Sequence, residues 1–79
     1  MSKTRVLYVE DEEVLAMLVR DHLERNGFEV HWVANGNEAE AIFRDVKPDL
    51  CILDIMLPGL SGYEIGKVIR TIDKAVPII

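Results

Sequence analysis

Residues 6–12 read VLYVEDE and residues 50–54 read LCILD. In each, a wholly apolar run ends abruptly on carboxylates. Short apolar, β-branched runs without alternation suit strands buried on both faces of a parallel sheet, so Arg5 to Val9 is predicted as strand one and Leu50 to Leu53 as strand three. The repeated ending, with Glu10 and Asp11 after the first run and Asp54 after the second, decides both the fold and the place to look for chemistry.

The intervening chain supplies the crossovers. From Glu13 to Arg25, apolar residues at 14, 15, 18, 19 and 23 follow helical spacing, and Asn26-Gly27 offers a left-handed stop. Phe28 to Ala34 alternates, with Phe28, Val30 and Trp32 on one face and Glu29 and His31 on the other, as a sheet-edge strand does. Asn37 stands three residues before Glu40, a variant of the capping box, ahead of a second helical stripe of Ala39, Ile42, Phe43 and Val46 that Lys47-Pro48-Asp49 ends. After IMLPGLSG, Ser61 and Glu64 form a capping box for a third helix whose stripe is Ile65, Val68, Ile69 and Ile72. Val76 to Ile79 begins a fourth strand, with Pro77 tolerated near its start. The order β-α-β-α-β-α-β, joined by short loops, requires right-handed helical crossovers over a parallel sheet. In open sheets of this kind, ligands bind outside the carboxyl ends of the strands, where strand order reverses.

Composition narrows the class. A chain of 79 residues, 49% hydrophobic and 29% charged, fits one small domain. No apolar run reaches the length of a membrane span and the N-terminus lacks a signal-peptide pattern, so the expected location is cytoplasmic. Cys51, the single cysteine, sits inside LCIL and reads as a buried, reduced thiol. A net charge of −5 without a basic cluster argues against nucleic acid or membrane as a partner of this segment and in favour of cations as ligands.

If strands one and three are neighbours, Glu10, Asp11 and Asp54 converge at one sheet edge. Three anions together cost repulsion that a cation relieves. Magnesium takes oxygen ligands, keeps several waters and is usually held by one or two carboxylates with a phosphate oxygen. Asp54 then has two readings, a plain ligand or strand-end cap, and a nucleophile that carries a phosphoryl group as an acyl phosphate. Glu12 and Glu13 need only the helix dipole of the first turn. His22 and His31 read as surface or packing residues, and Trp32 as a core plug.

VLYVEDE and LCILDIMLPGLSGYE, at this separation, resemble the receiver domain of bacterial two-component response regulators, the CheY-like fold. The match runs the length of the chain and rests on the acidic pair, the lone aspartate and the turn behind it. The resemblance implies a flavodoxin-like doubly wound α/β sheet, incomplete here, with strand order 2-1-3-4. Residues 1–79 would be the N-terminal part of a receiver, with the fourth helix, fifth strand and fifth helix absent. It implies Asp54 as phosphoacceptor, Asp11 as a direct magnesium ligand, Glu10 as a ligand acting mainly through water, and the Met56 backbone carbonyl as a further ligand. Pro58, Gly59 and Gly62 would shape the loop behind the acceptor.

The implied partner is a histidine kinase, docking on helix one through an exposed member of the set Val14, Leu15 and Leu18. The family's strand-four hydroxyl residue and strand-five lysine have no counterpart, and Lys67 and Lys74 lie on or just after helix three. A signalling-incompetent fragment that self-associates through an exposed strand-four edge, as a homo-oligomer or domain-swapped dimer, is therefore the alternative expectation. A haloacid-dehalogenase-type phosphatase would need a second acid where Met56 stands.

Overall fold

A computed structural model of the chain describes residues 3–54 and 61–79. Strand β1 (Thr4–Val9) leads to helix α1 (Glu13–Arg25), β2 (Phe28–Val33), α2 (Ala39–Val46), β3 (Leu50–Leu53) and α3 (Gly62–Ile72). The strands form one parallel sheet in the order β2-β1-β3. Strand β1 is central, which explains its unbroken apolar run: Val6, Leu7 and Val9 are fully buried, and Tyr8 nearly so.

Alternation about the sheet builds two apolar layers. Leu7, Val9, Val33 and Cys51 meet Ala39 and Phe43 of α2 and Ile65 and Ile69 of α3 on one face. On the other, Val6 and Tyr8 meet Ala16 of α1, with Val19, Phe28, Val30, Trp32, Leu50 and Ile52 packed around them. The incomplete doubly wound α/β architecture with edge strand β2 is thus as expected. Each fully buried Val, Leu or Ile contributes about 1.5–3 kcal/mol, and a chain of this length has few to lose.

Most element boundaries fall where the local capping signals place them. Ser61 caps α3, its Oγ accepting the Glu64 amide at 3.3 Å. Asn26 closes α1, and Gly27 follows with φ +91°, in the left-handed region that glycine favours. The second helix departs from expectation. No side chain caps α2, whose N-cap is Glu38; Asn35 instead caps a single 3₁₀ turn (Gly36–Glu38) that precedes it, accepting the Asn37 amide at 2.9 Å. Glu40 is drawn instead to Arg44 one turn on, at 3.1 Å, because i,i+4 partners of opposite charge face each other on a helix.

Two further expectations change. The apolar positions of α1 divide between two faces: Val19 packs beside the buried Ala16 and Leu23 is half-buried, while Val14, Leu15, Met17 and Leu18 are exposed. Small Ala16 permits the close approach, which turns its larger neighbours outward. The fourth strand is reduced to a parallel bridge between Cys51 and Ile78. The bridge is held by hydrogen bonds from the Cys51 amide to the Pro77 carbonyl (2.9 Å), from Leu53 to Ile79 (3.1 Å) and from Ile79 back to Cys51 (2.9 Å). It lies beside β3, the position expected of a strand four. Pro77 has no amide to extend the ladder, and the Arg70 guanidinium takes the Val76 carbonyl at 2.5 Å.

Candidate functional site

Strands β1 and β3 are parallel neighbours paired from Val6–Leu50 to Val9–Leu53, so their carboxyl ends fall together. The amide of Asp54 donates to the Val9 carbonyl at 3.1 Å, which seats Asp54 against the main chain entering Glu10. Glu10, Asp11 and Asp54 each contribute a carboxylate oxygen, and these oxygens lie within 4.8 Å of one another. The three side chains grade from inside to outside: Glu10 is buried, Asp54 half-buried and Asp11 exposed. The predicted convergence is therefore present.

The electrostatics follow from that placement. Burial pushes the Glu10 carboxyl above its ordinary range, opposed by the Glu12 amide, which donates to its Oε2 at 3.2 Å, and reinforced by Asp54 and then Asp11. Tyr8 is raised as well, first by burial and then by the Glu10 carboxylate. A cluster that consists only of hard oxygen donors, and opens to solvent on the Asp11 side, fits a small divalent cation that keeps part of its water shell.

Met56, Pro58 and Gly59 lie outside the described residues. Gly62 is buried at the start of α3. Val14, Leu15 and Leu18 stand on the open face of α1, 74%, 42% and 66% exposed. His22 is exposed near the end of α1, and His31 is bound to Glu29 at 2.6 Å, so neither joins the acidic group. Lys74 lines a cleft with Phe43, Arg44 and Lys47 instead. Cys51 is fully buried, as expected, and burial pushes its thiol up to about 11, which disfavours the reactive thiolate.

One contact was not legible beforehand. Trp32 packs on the apolar layer of β1, as a core residue should, but its indole N–H also donates to the Glu10 carbonyl at 2.8 Å. The signal available was its place near the carboxyl end of the edge strand adjoining β1.

Comparison with known proteins agrees with this geometry. The family profile described as the response regulator receiver domain matches residues 6–79. The phosphate regulon transcriptional regulatory protein PhoB of Rhizobium meliloti (strain 1021) is 48% identical over 66 residues, covering 84% of this chain and 29% of its own length. Among solved structures, the response regulator TrrA of Thermotoga maritima in complex with Mg(2+)-BeF superposes with a TM-score of 0.89 at 38% identity, covering 99% of this chain and 66% of that one. TrrA in complex with the histidine kinase ThkA gives 0.87 at the same identity and coverage. The chain spans about a third of the length of the curated relatives it matches.

Proposed function

The chain belongs to the response regulator receiver domain family, and from that premise we propose that it accepts a phosphoryl group on Asp54 from a histidine kinase. The observation that carries the reading is the meeting of three carboxylates, within 4.8 Å, where β1 and β3 end. A strand-end aspartate is held there by its own main chain, so its carboxylate faces solvent chemistry from a fixed base.

In the transfer, a carboxylate oxygen of Asp54 attacks the phosphorus of a phosphohistidine. The P–N bond breaks, its electron pair returns to the imidazole, and an aspartyl phosphate remains. Asp11 and Asp54 would hold magnesium directly, with Glu10 acting mainly through water and the Met56 carbonyl as a further donor. Bound magnesium supplies positive charge against the carboxylates and the transferred phosphoryl oxygens. The buried Glu10 places an oxygen donor on the inner wall of the site, while exposed Asp11 leaves the approach open. The relative TrrA is described with Mg(2+)-BeF and with the kinase ThkA, which supports the same ligand and partner classes here. The exposed Val14, Leu15 and Leu18 of α1 form the apolar surface for the kinase. The chain is a phosphoacceptor, and any catalysis it performs is of its own modification.

Mass measurement after incubation with magnesium and acetyl phosphate tests the assignment. One phosphoryl adduct is expected, labile to hydroxylamine as an acyl phosphate is and absent from Asp54→Asn. An adduct that survives hydroxylamine, or persists in Asp54→Asn, would refute it.

A further inference from the structure

Trp32 belongs to the edge strand, yet it reaches the acidic site through the main chain. Glu10 is the first residue past the last paired position of β1, Val9 opposite Val33. Its amide still donates to the Val33 carbonyl at 3.0 Å. Its carbonyl lies beyond the paired ladder and accepts the Trp32 indole N–H at 2.8 Å. The peptide units on both sides of the Glu10 α-carbon are therefore held from the β2 side, one by a backbone carbonyl and one by a side chain.

That second peptide matters twice. It is planar and rigid, so holding its oxygen also directs the α-carbon of Asp11. With both flanking peptides fixed, the Cβ direction of Glu10 is fixed, and its carboxylate is then steadied by the Glu12 amide at 3.2 Å. Trp32 is held in turn. Its ring packs on the layer formed by Val6, Tyr8 and Ala16, and the Arg20 guanidinium of α1 lies 5.9 Å from the ring centroid, within reach of a cation–π contact.

We propose that Trp32 is a positioning residue of the acidic site, its indole N–H orienting the Glu10–Asp11 peptide so that both carboxylates converge with Asp54. The inference rests on the metal-binding reading above. It predicts a role for one hydrogen atom as distinct from the bulk of the ring, which a purely packing role does not.

The test replaces Trp32 with β-(3-benzothienyl)alanine, which keeps the bicyclic shape and puts sulfur where the N–H was. Incorporation of 5-fluorotryptophan, which retains the N–H, is the rescue control. Magnesium affinity is followed by the amide shifts of Asp11 and Asp54 in the full 79-residue chain. The sulfur isostere is expected to bind magnesium about three- to tenfold more weakly, the scale of one net hydrogen bond, with the fluoro variant near wild type. Equal affinity in the isostere and wild type would overturn the proposal. If wild type itself shows no magnesium binding, the metal reading fails, and amide hydrogen exchange in metal-free protein decides this one. Faster exchange at Glu10 and Glu12 in the isostere upholds the positioning role, and unchanged exchange overturns it.

Discussion

The amide of Asp54 donates to the carbonyl of Val9 across 3.1 Å, and this hydrogen bond ties the end of β3 to the end of β1, where Glu10 and Asp11 begin. Asp54 thereby meets Glu10 and Asp11 through the sheet ladder and not through a flexible loop, so the carboxylates stay close whether or not a cation compensates them. Their mutual repulsion is a standing cost of the fold.

Asp11→Ala should weaken magnesium binding by at least about tenfold, because loss of even an outer partner of a metal site costs about 10- to 100-fold. Far-UV circular dichroism should be unchanged, since Asp11 is exposed. Titration of magnesium against the Asp54 amide shift measures the loss. Wild-type affinity in the variant would remove Asp11 from the ligand set.

Glu10 ties stability to pH. Its carboxyl is raised in the folded chain by burial and by Asp54 and Asp11, so folding favours the protonated form. Its contribution is fully present below the ordinary glutamate range and is lost as pH rises through the raised native value. Metal-free protein should therefore lose urea resistance as pH climbs from the carboxylate range towards neutrality. Magnesium should restore it at neutral pH and do little in acid, and Glu10→Gln should flatten the profile. A metal-free wild type that gained stability over that range from this group would contradict the assignment.

Exposure separates recognition from packing on the helices. Ile69→Ala removes a fully buried side chain between α3 and the sheet and should cost about 2–5 kcal/mol, enough to leave much of so small a domain unfolded. Leu18→Ala, at a position 66% exposed, should change stability by less than about 0.5 kcal/mol while slowing phosphotransfer from a kinase. Chemical denaturation and a phosphotransfer time course, run on both variants, distinguish the two roles.

The 79 residues taken alone should self-associate. Leu50 and Ile52 remain partly exposed beside β1, and Ile79 is 75% exposed at the end of the bridge to β3, so a second copy can cover apolar surface and extend the sheet. Light scattering over a concentration series is the measurement, with mass rising above the monomer expected. A monomer at all concentrations would show that this surface is tolerated in water.

Burial on both faces removes polar residues from a strand and alternation restores them at an edge. VLYV and LCIL could therefore be read as interior strands, FEVHWV as an edge strand, and the strand-end carboxylates as a cluster, from local pattern alone. The Ser61 cap and the Asn26-Gly27 stop were legible for the same reason, since each is completed within a few residues. Tertiary structure decided what depends on partners distant in sequence. Periodicity gives α1 an apolar face, but only the close seat of Ala16 on β1 shows that Val14 and Leu18 turn away from the sheet. Trp32 is apolar bulk in any sequence reading. Its hydrogen bond to a residue 22 positions earlier exists because parallel pairing sets the edge strand beside the end of the central one, and no local rule encodes that contact.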